Sequence, residues 1–587
     1  MSGANRRRTA ETENAILIGI GVGVLVLALL VMWISVHGAA AIDGRSKPPA
    51  SPVDMIAALA RGDTAWTTTT WVLLAMQVTV VAALGVVALL IFRRVRASRL
   101  RGDGAARLMG TGRDIAAITT VQARATAARL GMAGTPGLRI GRTVAGGAVV
   151  WQGWEDVSVD IWGPRQGKTT SRVIPAIVEA PGAVVVTSNK RDVVDATRSV
   201  RRIETADRRV VEPWVFDPQQ IVGESPSWWW NPLSYVTGEL AAAKMAHTLA
   251  AAARPPGSRV DAFFDSAAEE LLAGLLLAAS RKAGGSLTDV YLWLTRPTDT
   301  TPADILAAHH FTLTASSVAN HINSPDKQRD GVYGTARTMV RFMTNPETMA
   351  WVTPGRRRRP EFSPAEFVRD PAQTIYLLSK EGQGSAGPIM TALTVAITEA
   401  AEEYSQAQPG GRLPVSLLLA LDEAANICRW SELPNLYSHF GSRGIIPMTI
   451  LQSWAQGEDV WGKAGMEKLW SAATIKVVGS GVGGGNFLTD LSTLIGEWEK
   501  PTRSYQSSSR GMGPSRTSSH TRERIMDPAD IGALPRGRAI VIGAGSRPTL
   551  CRTIPWMETE HADAIRKSLN EAAADGDPQP GGVRVNI

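Results

Sequence analysis

Cysteine and histidine are scarce in this sequence, with two and eight residues among 587. Cys428 and Cys551 are too few and too far apart to form a disulfide framework or a zinc knuckle, and no histidine beside them has metal-ligand spacing. Charged residues are only 20% of the chain against 44% hydrophobic residues, which argues against wholesale disorder. At about 150 residues per domain, the length predicts about three or four folded units. The scarcity of cysteine fits a reducing compartment for the bulk of the chain.

Two long apolar runs near the N-terminus carry no charge, at 15–36 and 71–92. A helix of 22 residues covers about 33 Å, enough to cross the hydrocarbon core of a bilayer. We expect two transmembrane helices. The alternatives are a signal peptide for the first run and two buried helices of a soluble core for both.

The positive charge of the chain is concentrated around these apolar runs. Six of the eight net positive charges lie before residue 108, and most follow the second run, at Arg93, Arg94, Arg96, Arg99, Arg101 and Arg107. The loop between the runs is neutral. Because Lys and Arg favour the cytoplasmic side, both termini are predicted to be cytoplasmic. The net charge therefore orients the chain in a membrane and is not evidence for DNA binding.

Short β-branched runs alternate with helical stretches beyond residue 147. The predicted strands are 157–162, 183–188, 374–379, 416–423, 446–453, 474–480 and 539–545. This alternation is typical of an α/β fold with a parallel sheet that is covered on both faces. Strand signals fade between 286 and 352, which predicts a helical insertion.

A phosphate-binding loop is predicted directly after the first of these strands. The candidate nucleotide-binding residues are Gly163, Pro164, Arg165, Gln166, Gly167, Lys168, Thr169 and Thr170. Such a loop turns backbone N–H groups toward phosphates, Lys168 neutralises the β and γ phosphates, and Thr169 offers a hydroxyl to magnesium. The full motif requires glycine at the position of Trp162, so the first half of the loop departs from it. A chance Gly-Lys-Thr in a surface turn is the alternative.

Two acidic residues, Asp422 and Glu423, end the apolar strand at 416–423. One carboxylate at such a strand end can hold magnesium, while the next polarises a water for attack on the γ phosphate. Helix capping is the alternative role for acids at this place. Their occurrence with the phosphate-binding loop favours ATP and Mg²⁺ as ligands.

Two further polar residues flank the strand at 446–453. Gln452 lies at its end and suits a hydrogen bond to the γ phosphate or the attacking water; an amide satisfied by the backbone is the alternative. Arg443 precedes the strand and is either a solvated arginine or a finger that reaches the nucleotide of a neighbouring subunit. Gly479, Gly481 and Gly484 form a GxGxxG pattern, which we interpret as a tight strand-to-helix turn rather than a dinucleotide site.

With these residues in place, the chain resembles the type IV coupling proteins of bacterial conjugation and type IV secretion, the TraG/TraD family. The matching segments over 151–556 are GPRQGKTTSRVIPAI, VVVTSNKRDVVDATRSVR, FDPQQ with WNPLS, DAFFDSAAEELLAGLLLAAS, LALDEAANI, SRGIIPMTILQSWAQ and ALPRGRAIVIGAG. Two preceding transmembrane helices belong to the same plan.

The resemblance implies a RecA-like P-loop motor domain interrupted by an all-α domain. The expected organisation is a membrane anchor over 1–107, a linker over 108–147, a nucleotide-binding domain over 148–285 and 353–560, an all-α insertion over 286–352 and a disordered tail over 561–587. The stretch 504–520, rich in serine and glycine, is expected to be a mobile loop.

The resemblance also implies a homo-hexameric, multi-pass ATPase of the bacterial inner membrane with its motor domain in the cytoplasm. Its expected partners are a relaxase-bound DNA strand, expected to be single-stranded, and the proteins of a type IV secretion channel. Carried over by position, Lys168 and Thr169 bind nucleotide and magnesium, Asp422 and Glu423 form the Walker B pair, Gln452 senses the γ phosphate, and Arg443 is a finger in trans.

Three alternatives to this function remain at the level of sequence. The first is a double-stranded DNA pump of the FtsK type, although no unit of the size of a winged helix follows Trp556. The second is a motor for protein export that never touches DNA. The third is a non-catalytic scaffold with a degenerate phosphate-binding loop, for which Trp162 is the main support.

Overall fold

A computed structural model describes residues 26–97, 102–132, 134–205, 207–255, 258, 261–380, 386–506 and 515–576. The chain forms two compact units, Met1–Leu100 and Arg101–Ile587. Each unit is described by itself below.

The first unit is helical over its described residues. It contains α1 (Val26–Ile42), α2 (Pro52–Arg61) and α3 (Thr68–Ala97). Among the described residues one helix is long and apolar enough to cross a membrane, Thr68–Val86 within α3, and it coincides with the second predicted span. Part of the first predicted span, 15–25, lies outside the described residues, and α1 is apolar but shorter. The structure thus supports one of the two predicted spans by length and composition.

The second unit is built on a large mixed sheet. Its strands, with two small hairpins outside the sheet (β5–β6 and β12–β13), are β1 (Leu138–Thr143), β2 (Val149–Gln152), β3 (Ser158–Ile161), β4 (Val184–Ser188), β5 (Ile203–Glu204), β6 (Val210–Val211), β7 (Trp214–Phe216), β8 (Thr374–Leu378), β9 (Leu417–Leu421), β10 (Ile445–Leu451), β11 (Ile475–Gly479), β12 (Glu497–Gln506), β13 (Ser515–Arg524), β14 (Arg538–Gly543) and β15 (Thr549–Thr553).

The eleven strands of the sheet run in the order β2-β1-β15-β14-β11-β3-β10-β9-β4-β8-β7. From β11 to β7 all neighbours are parallel, while β14, β15, β1 and β2 pair in antiparallel fashion. All seven predicted strands are present. The prediction of a parallel sheet was wrong for β14, which runs antiparallel to β11, because a fully buried apolar strand reads the same in either direction.

Both faces of the sheet are buried, as the continuous apolar strands require. Along β9, Leu417, Leu419 and Leu421 face one core cluster. Leu418 and Ala420 face the other. Because side chains alternate along a strand, a sheet covered on both sides needs apolar residues at every position.

The helices of the second unit cover these two faces and form the insertion between β7 and β8. They are α4 (Thr120–Arg129), α5 (Ile174–Glu179), α6 (Asp192–Thr197), α7 (Glu239–Ala253), α8 (Phe264–Arg281), α9 (Leu287–Thr295), α10 (Thr301–Ala308), α11 (Thr312–Ile322), α12 (Asp326–Met339), α13 (Pro346–Met349), α14 (Pro364–Phe367), α15 (Gly387–Gln406), α16 (Ala424–Ile427), α17 (Leu433–Arg443), α18 (Trp454–Ala472), α19 (Gly485–Ile495), α20 (Pro528–Gly532) and α21 (Ala562–Gly576).

The helical insertion begins at α7 rather than at residue 286. Helix α8 packs against α7, α9, α10, α11 and α12 and forms the centre of this region. Its leucines, among them Leu271 and Leu275, are fully buried. The sequence offered no boundary here, because alanine- and leucine-rich helices also cover the sheet.

Three other predicted boundaries differ from the structure. The linker predicted over 108–147 contains β1, which pairs with β15 inside the sheet. The tail predicted to be disordered from 561 begins with α21, where Ile565 is fully buried. The stretch 504–520 includes parts of β12 and β13, which pair with each other as an antiparallel hairpin, while 507–514 lies outside the described residues. Strand β1 is held by pairing with β15 and α21 by packing against α6, and contacts between segments so far apart leave little local pattern.

Candidate functional site

Three adjacent parallel strands bring the predicted nucleotide residues to one edge of the sheet. Strand β10 lies between β3 and β9, with Leu451 opposite Ile161 and Thr449 opposite Leu421. The carboxyl ends of parallel strands meet at one edge, where α/β proteins bind ligands. The phosphate-binding loop follows β3, Asp422 follows β9 and Gln452 follows β10.

The loop after β3 has a tight, strained backbone. Gly167 has a φ of +89° and Arg165 a φ of +60°, both in the left-handed region. The turn is closed by Ser171 N, which donates to Gly167 O at 3.0 Å, and by Thr170 Oγ1, which donates to the same oxygen at 3.1 Å. A π-helical turn over Thr169–Val173 follows. Such turns are frequent at functional sites, and this one begins where phosphates would bind.

The departure at Trp162 is accommodated by the neighbouring strand β11. The Trp162 ring is buried against Gly479, where an added Cβ would lie 2.1 Å from Trp162 Cε3. A Cβ on Gly163 would lie 2.1 Å from Gly481 O, and Gly163 N donates to Ser480 O at 3.0 Å. Gly479 and Gly481 of the GxGxxG pattern therefore serve close packing against the phosphate-binding loop, in line with the interpretation of a tight turn.

Lys168 lies between the two acidic residues at the end of β9. Its Nζ lies 3.1 Å from Asp422 Oδ1 and donates a short hydrogen bond to Glu423 Oε1. The three side chains are less than 10% exposed. The lysine charge is thus matched by carboxylates in a site shielded from water, which strengthens every electrostatic contact in it.

Burial and charge act against each other at this cluster. Burial by itself lowers the pKa of Lys168, but the attraction of Asp422 and Glu423 outweighs it and raises the pKa above the ordinary value. At Asp422 burial dominates and raises the pKa, although Lys168 opposes it. The opposite charges nearby thus decide the direction at Lys168, and the loss of hydration decides it at Asp422.

Glu423 is held in a defined orientation by its neighbours. Gln452 Nε2 donates to Glu423 Oε2 at 2.5 Å, and Asn426 Nδ2 donates to the same oxygen at 3.3 Å. The backbone of Glu423 is left-handed, with a φ of +55°. A non-glycine residue in this conformation costs about 1–3 kcal/mol, and such strain clusters at active sites. The sheet end therefore fixes the carboxylate that the sequence predicted to polarise water.

The donors at this sheet edge fit ATP with Mg²⁺. Asp422 Oδ1 is a buried carboxylate oxygen that lies 3.1 Å from Lys168 Nζ, and a cation can take the place of the ammonium there when the lysine turns to phosphate. The Thr169 hydroxyl follows Lys168 in the π-helical turn. A carboxylate and a hydroxyl beside phosphate oxygens are the oxygen ligands that Mg²⁺ prefers. Pro164 and Arg165 lie exposed at the tip of the loop.

Arg443 is paired away from the cluster around Lys168. It ends α17, and its Nη1 lies 2.5 Å from Glu402 Oε1 on α15. Its side chain remains 32% exposed. Among the described residues, Arg443 forms no hydrogen bond with the phosphate-binding loop.

Sequence reasoning missed a buried ion pair behind the loop. Arg172, in the π-helical turn, donates from Nε to Asp160 Oδ2 at 2.7 Å, and its Nη2 contacts Gln152 and Ser158. Arg172 and Asp160 are almost completely buried. The pair joins the strand that enters the loop to the turn that leaves it. The available signal was Asp160, a charged residue within an otherwise apolar predicted strand.

The comparisons with known proteins point in one direction. Residues 416–536 match the family model described as the TraM recognition site of TraD and TraG. No curated protein sequence matches the chain.

Among solved structures, the unbound monoclinic form of the bacterial conjugative coupling protein TrwBdeltaN70 is 18% identical, with a TM-score of 0.52 over 71% of this chain and 88% of that chain. TrwB with the ATP analogue ADPNP is 17% identical, with a TM-score of 0.48 over 68% and 86%. VirB4 of Thermoanaerobacter pseudethanolicus is 10% identical, with a TM-score of 0.39 over 71% and 96%.

The likeness to TrwBdeltaN70 shows the fold, a RecA-like α/β domain with a mixed sheet and a helical domain. The matched family segment contains Asp422, Glu423, Arg443 and Gln452. In the sequence this segment comes after the phosphate-binding loop, and both lie at the same edge of the sheet. The match over 416–536 supports the type IV coupling protein family, and the likeness to TrwBdeltaN70 is a likeness of fold.

Proposed function

We propose that this protein is a membrane-anchored ATPase that couples ATP hydrolysis to transfer of a relaxase-bound single DNA strand to a type IV secretion channel. The observation that carries the proposal is the buried contact of Lys168 with Asp422 and Glu423 at the end of three adjacent strands. The match of residues 416–536 to the family model of TraD and TraG supports the role in conjugation.

Each residue of the cluster has a distinct part in the proposed hydrolysis. Lys168 leaves the two carboxylates and binds the β and γ phosphates, which offer it a comparable negative charge. Glu423, oriented by Gln452 at 2.5 Å, accepts a hydrogen bond from the attacking water, takes up its proton as the water attacks, and so makes the water oxygen more nucleophilic. Thr169 and Asp422 would hold Mg²⁺, which when bound supplies neutralisation of the phosphate charge.

The proposed organisation follows the family. An N-terminal anchor over 1–107 with spans at 15–36 and 71–92 holds the motor at the cytoplasmic face of the bacterial inner membrane. Six copies form a ring, so that Arg443 of one subunit completes the nucleotide site of the next. The helix Thr68–Val86 supports the anchor by its length and composition. TrwB has been solved with ADP and Mg²⁺, and we propose the same ligands here.

The DNA part of the proposal is tested by crosslinking the full chain in conjugating cells and sequencing the attached nucleic acid. We expect one strand of the transferred plasmid, in wild-type cells only. Recovery of both strands would favour a double-stranded DNA pump of the FtsK type, and recovery of protein alone would favour protein export. Lys168→Ala serves as the matched inactive variant, which should insert into the membrane normally and transfer no plasmid.

A further inference from the structure

The turn before β14 presents one arginine to the phosphate-binding loop. Arg538 N donates to Pro535 O at 3.1 Å, which closes a tight turn with Arg536 and Gly537 at its centre. Gly537 has a φ of +83°, a conformation that glycine adopts at no steric cost. The turn is therefore built so that the Arg536 side chain projects from its tip.

This turn is anchored on both sides of Arg536. Leu534 is buried at 4% exposure. Arg538 pairs with Asp103 in a bidentate contact, from Nε to Oδ1 at 2.8 Å and from Nη2 to Oδ2 at 2.9 Å. Both side chains of that ion pair are less than 10% exposed. Two parallel hydrogen bonds of this kind fix geometry as well as charge, so the turn is rigid.

Arg536 itself is exposed, and within the described part of the chain no hydrogen bond or ion pair is formed by its guanidinium. It lies against the phosphate-binding loop, where a Cβ added to Gly167 would be 3.7 Å from Arg536 Nε. Gly167 directly precedes Lys168 in the phosphate-binding loop. A cation with free donors, carried on an anchored turn, thus stands beside that loop.

We propose that Arg536 binds a phosphate group of the nucleotide held by the loop of its own chain. Guanidinium presents five donors in a planar fork that matches two phosphate oxygens at once. Lys168 is a point charge on a flexible stem and is matched by two carboxylates, whereas Arg536 has no competing anion to leave. The inference rests on the proposed function of this loop as a nucleotide site and adds a residue to it.

The test uses the full chain in detergent and a fluorescent ATP analogue, with affinity and thermal midpoint measured in parallel. Arg536→Ala should weaken nucleotide affinity by about 10-fold to 100-fold, as expected for loss of a charge-assisted hydrogen bond. Arg536→Lys should fall between Arg536→Ala and the wild type. Because Arg536 is exposed, the thermal midpoint without nucleotide should not change.

The matched control is Arg547→Ala. Arg547 is an exposed arginine beside a proline in the turn at the opposite end of β14. The Arg547→Ala variant should bind nucleotide with the affinity of the wild type. Wild-type affinity in Arg536→Ala, or an equal loss in Arg547→Ala, would overturn the inference.

The failure of this inference and that of the proposed function are distinguishable. If the wild type binds the analogue, Lys168→Ala does not, and Arg536→Ala binds as the wild type does, only the role of Arg536 is refuted. If the wild type itself binds no nucleotide, the proposed function fails with it. A KM for ATP that rises in Arg536→Ala while kcat is kept supports binding of the ground state.

Discussion

Trp162 packs its ring directly on the backbone of Gly479, where a Cβ would lie 2.1 Å from Trp162 Cε3. A phosphate-binding loop can therefore carry tryptophan in place of the usual glycine when the adjacent strand has a glycine opposite the ring. The rest of the loop keeps its form, since Lys168 reaches Asp422 and Glu423. The tryptophan is thus a packing adaptation and does not support a degenerate scaffold.

Gly479→Ala should destabilise the protein and disturb the loop. The added methyl group meets a ring that is 1% exposed and has no room to move, and such overpacking costs about 1–3 kcal/mol. Thermal unfolding and binding of a fluorescent ATP analogue should both be impaired. Gly483→Ala is the control in the same turn, where no atom lies within 4 Å of the added Cβ. Equal stability of the two variants would contradict the account.

The ion pair behind the loop gives a second prediction. Arg172→Met leaves Asp160 buried without its partner and should destabilise the protein by about 3–5 kcal/mol, whereas Arg172→Met with Asp160→Leu should cost less. Urea unfolding followed by tryptophan fluorescence compares the two variants. If the double variant were less stable than the single variant, the ion pair would not be the cause.

The fold was predictable from sequence where strands are long and apolar. All seven predicted strands are present, since runs such as Leu417–Leu421 are buried on both faces. Strands of mixed polarity were not predictable. Strand β1, with the sequence LRIGRT, is half polar, and its place in the sheet depends on pairing with β15, which lies far along the chain. Long-range pairing of this kind leaves no local pattern.

The candidate site was largely predictable because its chemistry requires fixed residue types at strand ends. Lys168, Asp422, Glu423 and Gln452 form one cluster, as the motifs predicted. Arg536 was not identified as a site residue. It belongs to a turn with an ordinary Pro-Arg-Gly sequence, and only the folded sheet brings that turn to the loop.

Arg443 allows a test of completion of the site by a neighbouring subunit. Rings made only of Arg443→Ala subunits, or only of Lys168→Ala subunits, should show no ATP turnover. In a mixed ring, a Lys168→Ala subunit still supplies Arg443 to a neighbour with an intact loop, so mixing the two should restore part of the activity. ATP turnover against mixing ratio is the measurement. No recovery of ATP turnover at any ratio would mean that Arg443 does not complete a neighbour's site. It would then act within its own chain, or only through its contact with Glu402 at 2.5 Å.

His247 should give the contact between the helical insertion and the motor a pH dependence. Its Nδ1 lies 2.9 Å from Glu269 Oε1, and its Nε2 lies 3.2 Å from Ser431 Oγ, in the segment after the acidic pair. The hydrogen bond with Glu269 raises the pKa of His247, and burial opposes it only in part.

Because the folded pKa is raised, the stabilisation by His247 is complete below the ordinary histidine value of about 6.5 and is lost as the pH rises through the folded pKa. His247→Gln should thus reduce the free energy of unfolding most at low pH. The reduction should be smaller than about 1 kcal/mol, since the side chain is 45% exposed. Thermal midpoints between pH 5.5 and 8.5 measure it. His309→Gln, an exposed histidine of the same insertion, is the control, and a loss that grows with pH would refute the assignment.

ATP hydrolysis by the full chain in detergent, with and without single-stranded DNA, tests the central claim most directly. We predict turnover by the wild type that rises when single-stranded DNA is added. Glu423→Gln should bind ATP but hydrolyse it at least about 100-fold more slowly, because the carboxylate that polarises water is lost. No turnover by the wild type under either condition, or unchanged turnover in Glu423→Gln, would contradict the account.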